Sequence, residues 1–439
     1  MYGMNQEVKV IHLMTDFEQR AYEAKQASFA TAVLDTQTKN QALLRIADAL
    51  LENQEAIIAE NRKDMEEAVK TDLPMPLQKR LLFDEKKIKD VVEGLKSLTK
   101  LDDPVGRVLL KTEMDDDLVL TRVSCPIGVL GIIFESRPDA LVQIASLALK
   151  SGNACCLKGG SEARHTNRIL TDVIEKASLE AGMPKGWITL MESRNDVAEM
   201  LLLDQYIDLI IPRGSNAFVQ YIMQHSSIPV MGHADGVCHL YIHEKADQDM
   251  ALKLAFDSKT QYVAVCNACE TMLVDESIAA EFLPKLAQKL SEKNVVIHGC
   301  EKTRAILKDA LEVEEWHHEY LDYEVSIKIV SGEEEAIAHI NKYGSGHTDA
   351  IVTADKDAAE EFLNRVDSGN TFWNCSTRFS DGFKYGFGAE VGISTSKLHA
   401  RGPVGLEGLV TYKYKIVGNG NIVADYASGQ KSFTHKHII

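Results

Sequence analysis

Between residues 128 and 212, short apolar runs alternate with longer stretches of helical periodicity, and this rhythm constrains the fold more than any other feature. GVLGIIF (128–134), ACCLKG (154–159), WITLM (187–191) and DLIIP (208–212) are too short for buried helices and read as strands. Residues 140–152, ending at Gly152, and residues 162–181 and 195–203 read as helices between them. A strand, a helix and a further strand at this spacing make a crossover unit. Several in series predict a parallel sheet with helices on both faces. A second α/β region begins near 237. Strands are expected over 237–242, 270–274, 295–298, 327–330 and 349–353, and helices over 247–258, 276–292, 333–341 and 355–367.

The flanks have another character. Residues 15–100 read as helical, with Leu43, Leu44, Ile46, Ala47, Leu50 and Leu51 at helical spacing and Thr38 as the expected N-cap. After Pro104 the alternation around Met114–Asp117 predicts a hairpin over 109–124. The tail over 412–426 reads as a second hairpin around Gly418-Asn419-Gly420. An isolated hairpin is marginal, so an oligomer partner is expected to support this arm.

Composition removes several function classes. With 48 Lys plus Arg against 65 Asp plus Glu, the net charge is −17, which disfavours nucleic-acid binding through bulk charge. An apolar content of 45% is ample for a core and excludes disorder as the main state. The most apolar stretches, 125–134 and 200–212, are too short or too interrupted to cross a membrane, and no secretory signal precedes them. The eight cysteines form no disulfide framework, so reduced thiols and a cytoplasmic location are expected. Cys266-x-x-Cys269 is metal-like in spacing, but no second pair or histidine follows at a suitable interval, and no metal is expected.

Chemistry concentrates in five segments. Cys266, followed by Asn267, lies in a polar break between a helix and a strand, where a thiol can act as nucleophile and Asn267 or backbone N–H groups can face an oxyanion. Cys269 reads as a core residue. Lys158, Gly160, Ser161 and Glu162 form a glycine turn leading from a strand into a helix, and Arg213, Gly214 and Ser215 form another. Two such turns from one sheet fall at its carboxyl edge, where open α/β sheets bind ligands. The glycine-rich run 372–408 carries Arg378, Lys384, Lys397, His399 and Arg401, and FESRPDA (134–140) adds Arg137. These cations supply the local positive cluster that an anionic ligand needs.

The segments PIGVLGIIFESRPDA, SGNACCLKGGSEA, PRGSNAF, VCNACET, TRFSDGFKYGFGAEVGISTSKLHARGPVGLEGL and TYKY resemble the γ-glutamyl phosphate reductase (glutamate-5-semialdehyde dehydrogenase) family of the aldehyde dehydrogenase superfamily. The likeness runs in register from about residue 15 to 417. It implies an aldehyde dehydrogenase-like α/β fold with three parts: a Rossmann-like NADP-binding domain (1–108 and 125–236), a catalytic domain (237–405) and an oligomerisation flap (109–124 and 406–439). It implies NADPH-dependent reduction of L-glutamyl 5-phosphate to L-glutamate 5-semialdehyde in proline biosynthesis, through a thioester on Cys266. Lys158, Ser161 and Glu162 match the superfamily's adenosine-ribose contacts, although Glu162 would repel a 2′-phosphate. Glu319 is implied at the nicotinamide ribose, Arg378 at the substrate α-carboxylate, and Arg137 or Arg401 at its phosphate. Hydrolytic relatives carry a water-activating Glu where this chain has Gly232-His-Ala-Asp-Gly236, and an Asn oxyanion donor where it has Glu135-Ser136-Arg137. The first departure suits a reductase, and the second leaves one donor unassigned.

Rival readings are a relative using another acyl donor such as an acyl-CoA, a scaffold without activity, and a thiol-redox protein using both cysteines of the Cys-x-x-Cys pair. A homo-oligomer is expected. The likeness takes up the whole chain, leaving no fused kinase, and whether a glutamate kinase docks to pass on the labile acyl phosphate stays open.

Overall fold

The structure is a computed structural model that describes residues 14–135, 137–192, 196–388 and 390–439. Five helices lead the chain: Asp16–Thr31, Thr36–Glu52, Gln54–Lys70, Met75–Leu81 and Glu85–Thr99. The second is capped by Asp35, whose carboxylate accepts the Thr38 N–H at 2.7 Å, so Thr38 is inside the helix and not its cap. Asp35 adopts extended backbone just before the helix and reaches an otherwise unpaired amide there. Leu43, Ile46, Ala47 and Leu50 are buried, whereas Leu44 and Leu51 face outward.

Strands β1 (Val108–Asp115) and β2 (Leu118–Pro126) make the expected hairpin, with Asp117 at a positive φ in its turn. Strands β3 (Val129–Phe134), β4 (Ala154–Gly159), β5 (Ile188–Leu190) and β6 (Leu209–Arg213) form a parallel sheet in the order β5-β4-β3-β6. Every residue of β3 is buried, as a strand covered on both faces requires. The N-terminal helices share one apolar core with this sheet. The chain order reverses at β3, so the carboxyl ends of β3, β4 and β6 open a crevice at the switch point.

A second parallel sheet holds β7 (Cys238–Ile242), β8 (Cys269–Asp275), β9 (Val296–Gly299), β10 (Leu311–Glu312), β11 (Glu324–Val330), β12 (Thr348–Val352) and β13 (Asn370–Trp373), in the order β10-β9-β11-β8-β7-β12-β13. It has its own core against the helices Gln248–Thr260 and Glu276–Ser291. This sheet offers its amino edge to the crevice: Gly236 precedes β7, Cys266 precedes β8 and His347 precedes β12. The carboxyl edge of one sheet therefore meets the amino edge of the other. Asn216, in the helix after β6, spans the junction by donating to Asp235 at 3.1 Å and to Glu319.

After a short antiparallel pair, β14 (Gly392–Ser394) and β15 (Gly402–Val404), strand β16 (Val410–Val417) pairs along β2, and β17 (Lys436–His437) pairs with β1. The expected C-terminal hairpin is not formed. Beyond Gly420 the chain makes the helical turn Val423–Ala427 instead. Tyr426 holds that turn down by donating to Asp115 at 2.9 Å and stacking on Phe433 with centroids 4.3 Å apart. These contacts with distant residues outweigh the local alternation. Among the described residues, no helix is long and apolar enough to cross a membrane.

Candidate active site

Cys266 sits half-buried in the loop between the helix Gln248–Thr260 and β8. Three contacts fix that loop. Gly236 passes so close that a Cβ there would lie 2.2 Å from the Cys266 carbonyl oxygen and 2.4 Å from its Cα. The buried Cys238 thiol donates to the same carbonyl at 3.2 Å. Asn267 is buried, donates its amide to the Ser380 carbonyl at 2.7 Å and accepts from the Thr377 hydroxyl on its backbone oxygen at 2.8 Å. The Asn267 side chain thus ties the cysteine loop to the segment that carries Arg378.

Burial pushes the Cys266 thiol up to about 12, with Glu319 and Glu390 adding to the rise and Arg213 opposing it. Arg213 was expected at the cofactor turn, but its guanidinium turns into the cysteine chamber. A Cβ at Gly392 would lie 2.7 Å from its Nη1, so the absence of a side chain there makes its room. Burial lowers the Arg213 pKa, and the neighbouring Arg137 lowers it further. Arg378 is half-buried, donates from Nε to Gln261 at 3.0 Å and feels Cys266 electrostatically. The thiol therefore feels two guanidiniums, Arg213 at the end of β6 and Arg378 in the helical turn Thr377–Phe379 after β13. Arg137 pairs with Asp139 at 3.0 Å and stands beside Arg213. Arg401 is directed elsewhere. It holds Asp367 at 3.0 Å and lines a separate cavity of about 620 Å³ whose walls include neither Cys266, Arg213 nor Arg378.

The two glycine turns differ. At the second, the Glu135 carboxylate accepts the Ser215 N–H at 3.1 Å and lies against Gly214, so an acid of this chain takes the seat expected for a cofactor anion. Glu135 is thereby an acceptor, and Ser136 lies outside the described residues. At the first turn, Lys158 donates to the Gly159 carbonyl at 3.1 Å, and the Glu162 carboxylate folds over Gly160 where a Cβ would collide with it. Ser161 and Glu162 open into a cavity of about 520 Å³ that also holds Lys63, Lys70, Arg164 and His165. Asp64, Glu66 and Glu67 line the same cavity, so its charge is mixed, with the cations Lys63, Lys70 and Arg164 interleaved with acids.

Glu319 is half-buried near Cys266 and accepts from Asn216, so it bridges the two sheets. Its loop is fastened from below. Glu270, fully buried and paired with Lys259 at 2.6 Å, accepts the Leu321 N–H at 3.4 Å. Cys269 is a core residue, with its thiol donating to the Thr271 carbonyl at 3.3 Å.

Sequence reasoning did not find two histidines. His233 holds the Ile393 carbonyl through Nδ1 at 2.7 Å, and His347, fully buried, lies edge-on to it with ring centroids 4.8 Å apart. One nitrogen of each ring and the Cys266 sulfur lie within 4.8 Å of one another. The two histidines stand far apart in sequence and share no motif.

A parallel crevice facing a cysteine loop, with cations converging on the thiol, defines an aldehyde dehydrogenase-type oxidoreductase. The aldehyde dehydrogenase family model matches residues 14–304 and 325–408. The chain belongs to that family and, within it, to the γ-glutamyl phosphate reductases. It is 63% identical over 425 residues to the γ-glutamyl phosphate reductase of Ruminiclostridium cellulolyticum, covering 96% of this chain and 98% of that one. It is 60% identical over 424 residues to that of Pelotomaculum thermopropionicum, with the same coverage. The crystal structure of the Thermotoga maritima γ-glutamyl phosphate reductase superposes with a TM-score of 0.91 at 38% identity, covering 93% of this chain and all of that one. An acetylating aldehyde dehydrogenase from Geobacillus thermoglucosidasius, at 18% identity and a TM-score of 0.63 over 92% of this chain and 97% of that one, shares the fold.

Proposed function

We propose that the chain reduces L-glutamyl 5-phosphate to L-glutamate 5-semialdehyde and phosphate with NADPH, as a cytoplasmic step of proline biosynthesis. The observation that carries this reading is a Cys266 thiol within electrostatic reach of two guanidiniums, Arg213 and Arg378. An acyl phosphate with an α-carboxylate presents an anion at each end, and two guanidiniums in electrostatic reach of the nucleophile can complement both. Arg378 is assigned the α-carboxylate, and Arg213, with Arg137 beside it, the phosphate.

The Cys266 thiol gives up its proton, which leaves with the departing phosphate. Its sulfur attacks the acyl carbon, the carbon–oxygen bond to phosphate breaks, and a thioester forms on the enzyme. Phosphate departs as an anion, and Arg213 lowers the cost of its negative charge. The Cys266 backbone N–H reaches its own sulfur and is one donor for the oxyanion. The bound cofactor supplies a hydride to the thioester carbon. The carbon–sulfur bond then breaks, and the aldehyde leaves. Lys158, Gly160 and Ser161 would hold the adenosine end and Glu319 the nicotinamide ribose. The thioester must survive until reduction. The 232–236 loop offers no glutamate, and its one acid, Asp235, is engaged by Asn216 and lies 3.7 Å from His317.

A homo-oligomer assembled through the flap is part of this reading. Strand β16 lies at a sheet edge with Tyr412, Tyr414 and Ile416 exposed, and such an edge invites pairing. The test of function is the reverse reaction. L-Glutamate 5-semialdehyde and the purified chain should reduce NADP only when inorganic phosphate is present, and Cys266→Ser should abolish this. Equal rates without phosphate, or reduction only when coenzyme A replaces phosphate, overturn the assignment.

A further inference from the structure

We infer that Cys266, His233 and His347 form a binding site for a soft divalent cation such as Zn²⁺, which holds the thiol in an unreactive state. The ligand atoms come from three segments that are remote in sequence and adjacent in space, within 4.8 Å of one another. A tetrahedral zinc ion with bonds of about 2.0 Å to nitrogen and 2.3 Å to sulfur needs ligand separations of roughly 3.3–3.5 Å. Closing the widest separation takes a shift of about 1.5 Å at most. Because the backbone of the Cys266 loop is held, the closure falls to rotation of the Cys266 and His233 side chains, both carried on segments outside helices and strands.

The second observation is at His347. Its ring is fully buried, its Nδ1 lies 2.8 Å from the Thr348 hydroxyl, and its Nε2 has no hydrogen-bond partner. A buried orphan nitrogen is costly, and a cation satisfies it. His233 is prepared in the same way. The Ile393 carbonyl can only accept, so Nδ1 carries the proton and Nε2 keeps its lone pair. One thiolate and two imidazoles are a donor set that selects zinc, cobalt or cadmium over magnesium or calcium, and they leave a fourth position for water. The charges around the chamber are mixed. Arg213 and Arg378 weaken the binding of a cation, while Asp235, Glu319 and Glu390 favour it. The ion replaces the thiol proton, which leaves to solvent, so no oxidant or reductant is involved. Inhibition follows from the proposed role of Cys266, whereas the metal site itself does not depend on that role.

The test uses chelator-washed, full-length protein titrated with Co²⁺ and then with Zn²⁺. The expected result is one Co²⁺ per chain with a thiolate-to-cobalt charge-transfer band, displaced by Zn²⁺. The band should vanish in Cys266→Ala. In His233→Ala, with wild-type circular dichroism, the affinity should fall at least about tenfold. Zn²⁺ should also slow iodoacetamide labelling of Cys266, and a chelator should restore the rate. No band in the wild type, a band that persists in Cys266→Ala, or unchanged affinity in His233→Ala overturns the site. A band that behaves as expected in a protein without reductase activity would count against the functional reading and leave the metal site standing.

Discussion

Gly236→Ala tests whether the position of the cysteine loop is set by backbone contact. The added Cβ would stand 2.2 Å from the Cys266 carbonyl oxygen, 2.4 Å from its Cα and 2.6 Å from its Cβ. Ordinary contact begins near 3.4 Å, so the loops must separate by about 3.4 − 2.2 = 1.2 Å. No flexible side-chain tip is available to absorb this, because the atoms met are mostly backbone. The loop is also held by the Asn267–Ser380 and Thr377–Asn267 hydrogen bonds at 2.7 and 2.8 Å. Overpacking of this kind costs about 1–3 kcal/mol of stability. A displacement near 1 Å of a reacting group costs on the order of 100-fold in rate, or about 2.7 kcal/mol. The assay is kcat/KM for phosphate-dependent NADP reduction, read beside thermal unfolding. Gly232→Ala is the internal control, because its Cβ would meet Pro212 only at 3.5 Å. The expected outcome is a loss of about 100-fold in Gly236→Ala and near-normal activity in Gly232→Ala. A folded Gly236→Ala enzyme within threefold of wild type, or equal losses in both variants, would refute the reasoning.

Three further outcomes follow from the same geometry. Because burial pushes the Cys266 thiol up to about 12, its thiolate fraction at neutral pH is small, and iodoacetamide labelling of the ligand-free enzyme should rise about tenfold per pH unit; a plateau below pH 9 contradicts this. Arg213→Met removes the cation that opposes that rise, so labelling should slow and kcat/KM for glutamyl phosphate should fall by roughly 100-fold, whereas an effect confined to the KM for NADPH would return Arg213 to the cofactor site. Lys259→Met removes the cation that opposes the burial-driven rise of the Glu270 pKa, already about 7, so the buried acid becomes protonated and loses a charge-assisted bond; this should cost about 1–3 kcal/mol in chemical denaturation, and no measurable loss would show that the pair is not the fastening of the Glu319 loop.

The alternation of short apolar runs with helical periodicity located most of both sheets, because strand and helix periods are local properties of the chain. Local patterns misled where distant contacts or a neighbouring residue competed with them. The tail after Gly420 alternates like a strand, yet Asp115 and Phe433 draw Tyr426 into a helical turn. Thr38 looked like a cap, but the carboxylate of Asp35 reached the open amide first.

The candidate site divides along the same line. Cys266 and the glycine turn from Lys158 to Glu162 stood out in the sequence only as candidates, since a thiol in a polar break and a glycine turn after a strand are common features, and the family likeness gave them their roles. The family likeness added Glu319 and gave Arg378, already visible in the glycine-rich run, its expected role. The direction of Arg213 was not legible, because a strand's last side chain is aimed by what packs across from it, here Gly392. Nor was the separation of Arg401 from the thiol, which follows from its hold on Asp367. The meeting of His233, His347 and Cys266 depends on β7, β8 and β12 being neighbours, so that the loops before them share one edge. The sequence by itself determined the α/β class, because strand and helix periods are written in short windows, and it offered Cys266 as a candidate that the family likeness then singled out. Only the tertiary structure decided which charges and imidazoles surround that nucleophile, because strand order joins segments that no local pattern connects.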